Sequence, residues 1–177
     1  SKEKNHNKMF DLRDEYAAEN IQWISNYEDC KIMLWAHNGH IANSDNKSRL
    51  LEVDQTTLGE NLKRLYKEAY YSIGFDFYKG HFVAVSPKNK LSVFKLSKSP
   101  KSSFAYEMMK TNTPIGFLDI NNAKKDKVLS DFISTKVHIN AIGANFNGSV
   151  SLNPRILKES FDGIIFVNTT TGAKFNA

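Results

Sequence analysis

Short apolar runs of strand length alternate along this chain with longer segments whose apolar residues recur at helical spacing. Residues 163–167 are rich in β-branched side chains, and residues 31–35 are apolar on both faces of an extended chain. Residues 9–27 and 58–70 carry apolar stripes at the spacing of an α-helix, the second preceded by Thr56 or Thr57 as an N-cap. This alternation predicts an α/β fold with a mostly parallel sheet flanked by helices.

The other segments predict further elements of the same two kinds. Strands are predicted at 72–86, interrupted near Lys79-Gly80, and at 91–96, 114–120 and 136–142; helices are predicted at 104–110, 124–133 and 155–161. Pro154 suits the first turn of the last helix. A chain of 177 residues fits one domain with a sizeable core, so we expect a single domain over 1–177.

Charge and composition favour some partners over others. The net charge is +5, from 24 Lys and Arg against 19 Asp and Glu, and the lysines cluster between 79 and 101 and between 124 and 127. An arginine-rich stripe interleaved with aromatics is absent, so solvated loops are favoured over nucleic-acid binding. No apolar run approaches the roughly 20 residues of a membrane-spanning helix. Cys30 is the sole cysteine, which excludes an intrachain disulfide.

The motif Trp35-Ala36-His37-Asn38-Gly39-His40 is the main candidate for a functional site. Its two histidines follow the carboxyl end of a predicted buried strand, where open α/β sheets place their ligand crevice. Histidine suits proton transfer near neutral pH. Two alternatives remain: the histidines cap and hydrogen-bond a tight loop, or they bind zinc with a carboxylate such as Asp45. The helical i,i+4 zinc pattern with an intervening glutamate is absent, and no metal or other cofactor is predicted.

These residues and several others resemble one known family. The segment from Arg13 to Trp23 resembles the "RDxxMAxNxxW" helix of the erythromycin esterase family, and Trp35–His40 resembles its "WAHNxH" strand end. The stretches 71–74 and 161–166 are similar to later strands of the family, and the matches run in order from 13 to 166. Ala17 stands where the family often has methionine, which is a packing difference.

The resemblance implies a chemistry and a set of site residues. Water would attack the carbonyl of a small-molecule ester, such as the macrolactone of a macrolide antibiotic, and the activity would confer resistance. His37, His40 and Arg13 would be catalytic, donating to the carbonyl oxygen or orienting the water. The supporting residues would be Asn38, Asp14 and Asn20: Asn38 fixing the loop, Asp14 holding a histidine tautomer, and Asn20 sharing a helix face with Arg13.

Family members are about twice as long, and their first half carries a Gly-Glu-x-x-His-Gly type element that supplies the general base. This chain has no such element, so we expect it to be the carboxyl-terminal part of a longer protein and its active site to be incomplete alone. The alternative is a non-catalytic binding domain with the same fold. If the other part of the longer protein covers one face of this domain, we expect an exposed apolar patch here, through which two copies can associate as a homodimer. The compartment stays open, with the cytoplasm as the default.

Overall fold

The computed structural model describes residues 2–44, 56–149 and 151–174, with side chains from Lys8 onward. The helices are α1 (Lys2–Glu28), α2 (Asn38–Ile41), α3 (Leu58–Tyr66), α4 (Phe104–Met109), α5 (Ile120–Ala123), α6 (Lys127–Ser134) and α7 (Leu157–Ser160). The strands are β1 (Ile73–Val85), β2 (Leu91–Leu96), β3 (Ile115–Asp119), β4 (Lys136–Asn140), β5 (Leu152–Ile156) and β6 (Gly163–Thr170). Most of the predicted helices and strands are present, and α2, α5 and β5 are additional to them.

Four of these strands form the main sheet, in the order β2-β1-β6-β3. The β1–β6 pair is parallel, whereas β1–β2 and β3–β6 are antiparallel. A separate antiparallel pair is formed by β4 and β5. The predicted α/β class with a helix-flanked sheet is confirmed. The sheet holds one parallel pair in the described part of the chain, rather than the mostly parallel arrangement that we expected.

The main core lies between one face of this sheet and the short helices. Its fully buried side chains come from α4, α5, α6, α7 and β6, and include Phe104, Ile120, Ile133, Leu157 and Phe166. Burying one such aliphatic or aromatic side chain contributes roughly 1.5–3 kcal/mol. Helices too short to be stable alone are therefore held by tertiary packing.

A second, smaller cluster joins the two longest helices. Ala18 of α1 packs with Leu58 and Leu62 of α3. Helix α3 begins with a capping box: the Thr57 hydroxyl accepts from the Glu60 N–H at 3.1 Å, and the Glu60 carboxylate accepts from the Thr57 N–H at 3.0 Å. The predicted Thr57 cap is confirmed, and this cap fixes where α3 meets α1.

Strand β1 continues through the predicted break at Lys79-Gly80. It pairs with β6 as far as Gly80 and with β2 from Gly80 onward. Gly80 has a φ of 127°, and a Cβ there would lie 2.2 Å from the Thr170 carbonyl oxygen. Glycine is therefore required where β1 exchanges one partner strand for another, and the sequence signal for a break marks this exchange.

Two predicted elements differ from the structure. Residues 31–35 belong to neither a helix nor a sheet among the described residues, and Met33 and Trp35 are 93% and 81% exposed. Their backbone forms no ladder with β1 although the Trp35 ring lies 5.4 Å from that of Phe75, so apolar character alone did not produce a paired strand. The predicted helix 155–161 is wrong at its start, because Arg155 belongs to β5 and the helix begins at Leu157. Pro154 lies opposite His138 in a two-stranded sheet, where an edge position tolerates proline.

None of the helices in the described ranges has the length and apolar character needed to cross a bilayer.

Candidate functional site

Helices α1 and α2 bring Arg13, Asp14 and His40 into one hydrogen-bonded group. Arg13 donates to Asp14 Oδ1 through Nε at 3.1 Å and Nη2 at 2.9 Å. His40 Nδ1 lies 3.2 Å from Asp14 Oδ2, and Arg13 Nη2 lies 3.2 Å and 3.3 Å from the two ring nitrogens of His40. We call Arg13, Asp14 and His40 the triad group. It joins residues that are up to 27 positions apart in the chain.

The buried carboxylate of Asp14 is the centre of this group. Its side chain is 6% exposed, against 38% for His40 and 50% for Arg13. Asp14 Oδ2 also accepts from the Leu58 N–H at 3.1 Å, at the first turn of α3. Because a carboxylate only accepts, the bond to His40 requires the proton on Nδ1. That tautomer leaves the lone pair of His40 on Nε2.

His37 has both an N-capping contact and a shifted acidity. Its Nδ1 accepts from the Gly39 N–H at 3.1 Å and so caps α2. Loss of hydration lowers the pKa of His37, as do its electrostatic interactions with His40 and Arg155, whereas the Ile142 carbonyl opposes the change. A neutral ring is consistent with the cap, since a protonated Nδ1 could not accept. The ring centroids of His37 and His40 are 6.5 Å apart.

Asn38 attaches the histidine-bearing turn to the main sheet. Its side-chain N–H donates to the Phe75 carbonyl at 2.6 Å, and its side-chain oxygen accepts from the Phe75 N–H at 2.9 Å. One amide therefore occupies both backbone groups of a β1 residue, as a neighbouring strand would. This contact fixes the turn on which His37 and His40 lie.

The structure places the predicted site residues in three situations. Arg13, Asp14 and His40 are in direct contact, and His37 and Asn38 lie on the adjacent turn. Asn20 is exposed on α1, about 10 Å along the helix axis from Arg13 at the usual rise per residue. Asp45, the proposed zinc carboxylate, lies outside the described residues. Within those residues, no three or more His, Cys, Asp and Glu side chains are arranged to hold a metal ion.

Residues that sequence reasoning did not select hold the end of the turn. The Ile41 carbonyl accepts from the Tyr70 hydroxyl and from Ser72 Oγ, each at 2.7 Å. Burial raises the pKa of Tyr70 to about 12, so its hydroxyl remains a donor. Asp162 Oδ2 accepts from the Asn43 amide at 3.0 Å and from the Ser72 N–H at 2.9 Å. Asp162 lies in the stretch 161–166 that resembles the family, but the two donors to its Oδ2 are 90 and 119 positions away in the chain. Its role therefore has no local sequence signal.

Gly59 sets how closely α3 approaches the turn. A Cβ at this position would lie 2.2 Å from the Ala42 carbonyl oxygen and 2.4 Å from that of Ile41. We expect Gly59→Ala to lower the free energy of unfolding by about 1–3 kcal/mol, because backbone must shift to admit the methyl group. Urea denaturation followed by circular dichroism measures this change.

Gly143→Ala is the matched control for the Gly59 substitution, since a Cβ at Gly143 meets nothing within 4 Å. Gly59 lies in α3, and at an uncrowded helix position alanine stabilises by up to about 1 kcal/mol relative to glycine. A loss of stability in Gly59→Ala is therefore due to crowding. A Gly59→Ala protein as stable as the parent, or more stable, would show that the approach of α3 to Ala42 is not tight.

Comparison with known proteins gives a family match over most of the chain. Residues 1–170 match the family model described as erythromycin esterase. The Bacillus subtilis (strain 168) protein YbfO, described as a provisional hydrolase, is 27% identical over 166 residues, which are 92% of this chain and 35% of YbfO.

Solved structures agree on the fold. A crystal structure described as a succinoglycan biosynthesis protein is 24% identical, with a TM-score of 0.78 over 92% of this chain and 39% of its own. A Bacillus cereus protein is 19% identical, with a TM-score of 0.81 over 93% and 40%. An erythromycin esterase mutant in its open conformation is 19% identical, with a TM-score of 0.58 over 90% and 37%. The chain spans 35–40% of the length of these relatives.

Proposed function

Because the chain belongs to the erythromycin esterase family, we propose that its triad group is part of the active site of a hydrolase that adds water to a carboxylic ester. The observation that carries this proposal is the contact of His40 with Asp14 and Arg13. A histidine oriented by a buried carboxylate and adjoined by a guanidinium combines a proton acceptor with a cationic donor. Ester hydrolysis needs both.

His40 would act on the attacking water. With Nδ1–H held by Asp14, the lone pair of His40 lies on Nε2, where Arg13 Nη2 is 3.3 Å away. Once Arg13 turns to the carbonyl oxygen, that lone pair can orient the water, or take its proton in this chain, which carries no Gly-Glu-x-x-His-Gly element. Asp14 is a positioning residue in this scheme, because it fixes the tautomer and orientation of the ring. Its bond from the Leu58 N–H anchors the carboxylate to α3, so the ring is held by two helices.

Arg13 would stabilise the negative charge that develops on the carbonyl oxygen. Half of its side chain is exposed, and its guanidinium lies against the His40 ring. A guanidinium offers several N–H donors in fixed directions, so it can bond to Asp14 and to an oxyanion together. His37 and Asn38 would position the turn, since their polar atoms already bond to Gly39 and Phe75.

The substrate class that we propose is a small-molecule ester of the macrolactone kind. The biological role that we propose is macrolide resistance. The family membership supports this choice, and the similar fold of an erythromycin esterase agrees with it. Function depends on the pocket rather than the fold, so other esters belong in the assay. A non-catalytic binding domain is the second candidate, favoured by the observation that the chain spans only 35–40% of its relatives.

The test is hydrolysis measured directly, with this chain and YbfO assayed side by side on erythromycin and on p-nitrophenyl esters. Ring opening of erythromycin would appear by mass spectrometry as a product heavier by one water molecule, and hydrolysis of a p-nitrophenyl ester as the absorbance of released p-nitrophenolate. Product from this chain supports a complete hydrolytic site, whereas product from YbfO alone supports a site that needs more polypeptide. Binding of erythromycin without product, by either protein, would favour the binding-domain candidate.

A further inference from the structure

The main sheet leaves one apolar face uncovered in the described part of the chain. The strand registers place Phe75, Ile165 and Phe117 in one row across the sheet, and Phe77, Val167 and Ile115 in the next. We call these six residues the open face. Ile115 is 68% exposed and Phe117 is 51% exposed, whereas Ile164 and Phe166 on the opposite face are fully buried. Among the described residues, the helices therefore bury one side of the sheet and leave the β3 part of the other side uncovered.

An unpaired segment of strand length borders the open face. Residues 31–36 lie outside every helix, turn and strand, and their backbone forms no ladder with any described residue. The Trp35 ring centroid lies 5.4 Å from that of Phe75, next to the free edge of β1. A groove of about 820 Å³ lies between this segment, the end of α1, α3 and the start of β1. Most of its lining is apolar.

The two features together indicate a polypeptide as the missing occupant. An exposed sheet face of this kind marks an interaction surface, since isolated soluble domains rarely expose a large contiguous apolar patch. A small ligand could fill the groove, but it would not pair the backbone N–H and C=O groups that recur at alternate residues along one edge of this segment. A strand supplies those partners, and an apolar layer joined to it would cover Phe117 and Ile115.

The relatives identify which polypeptide this would be. YbfO and the three solved structures each carry 60–65% of their length beyond the stretch that this chain matches. We propose that the open face and residues 31–36 form one docking surface for that additional family polypeptide, which pairs a β-strand with residues 31–36 and covers the open face. The proposal concerns binding alone and does not depend on the triad group being catalytic.

Hydrogen exchange and dye binding on this chain alone give the first test. The amides of residues 32–36 are expected to exchange nearly as fast as in an unfolded peptide, while those of β6 stay protected. An apolar dye should bind the native protein, and Phe117→Ser and Trp35→Ser should each reduce its fluorescence. Protected amides at 32–36 together with no dye binding would overturn the proposal, because the surface would then be closed by this chain itself.

Binding of the complementary polypeptide gives the second test. The probe is the part of YbfO that this chain does not match, expressed separately and titrated by fluorescence anisotropy. A 1:1 complex is expected, weakened about tenfold or more by Phe117→Ser, with new exchange protection at 32–36. Val128→Ser, at a 75% exposed position of α6, is the matched control and should leave the affinity unchanged.

Three results would overturn the assignment. One is a concentration-dependent dimer of this chain that Phe117→Ser abolishes, which would make a second copy the occupant. Another is equal weakening by Phe117→Ser and Val128→Ser. The third is an absence of complex when the YbfO part is shown to be folded by circular dichroism.

Discussion

The His40→Asn variant is expected to lose about 10²- to 10⁴-fold in kcat/KM for ester hydrolysis, the range that a general base contributes. Asparagine keeps much of the size and hydrogen-bonding capacity of histidine but cannot take a proton from water. The loss should appear mainly in kcat, since the substitution removes proton transfer rather than a binding contact. Steady-state kinetics on the substrate that the assays identify measures both constants.

His138→Asn is the matched control for this substitution. His138 lies in β4, where its Nδ1 is 3.4 Å from the Ser102 carbonyl oxygen, and it has no part in the proposed scheme. We expect its kcat to equal that of the parent. Asp14→Asn should lower kcat while it keeps an acceptor for the Leu58 N–H. An unchanged kcat in folded His40→Asn protein would remove His40 from the mechanism.

The second large effect concerns Asp76, a buried carboxyl that joins the two sheets. Its Oδ1 accepts from the Asn140 side chain at 2.8 Å, the Asn140 N–H at 3.3 Å and the Phe77 N–H at 2.9 Å. Asp76 is 3% exposed, and within the described residues its Oδ2 and the Asn140 Oδ1 have no hydrogen-bond donor. Burial raises the pKa of Asp76 from 3.8 to about 7, although the bonds from Asn140 and Phe77 oppose the rise.

The raised pKa makes stability fall as the pH rises. The folded chain holds the Asp76 proton more tightly than the unfolded chain, so this contribution is fully present below about pH 3.8 and is lost as the pH approaches about 7. Over the whole interval the change is on the order of 4 kcal/mol, from about 1.4 kcal/mol per pH unit. Urea unfolding at several pH values between 5 and 8 measures most of it.

Asp76→Asn isolates this contribution, because an amide does not titrate. The stability of the parent minus that of Asp76→Asn should fall with pH between 5 and 7 and level off above 7. Asp131→Asn, at an exposed position of α6, is the control and should retain the pH dependence of the parent. A pH profile of Asp76→Asn parallel to that of the parent would show that Asp76 is ionised throughout.

The sequence predicted the elements whose signals are local. The N-cap at Thr57 and the β-branched run of β6 each depend on residues close together in the chain, and both formed as expected. Strand direction and pairing depend on partners far along the chain, so the proportion of parallel pairs was not predictable. Segment 31–35 shows the same limit, since an apolar run becomes a strand only where its backbone forms a ladder with a neighbouring strand.

The candidate site shows this division between local and distant contacts as well. The motif residues His37, Asn38 and His40 could be selected from their spacing and from the family resemblance. The contacts of Ile41 with Tyr70 and Ser72 could not, because they join positions 29 to 31 apart through a backbone carbonyl that any residue provides. Asp76 was missed for a related reason: a single aspartate in a strand carries no sign of burial until the fold places Asn140 beside it.

The Asn38 amide has a consequence for how this protein behaves at high concentration. A free β-strand edge recruits strands from other molecules and so starts aggregation. By occupying the N–H and the C=O of Phe75, the Asn38 side chain blocks the free edge of β1 at the centre of its exposed stretch. The residue that holds the histidine turn thus also hinders the addition of strands from other molecules. Resistance to aggregation therefore depends on an intact turn.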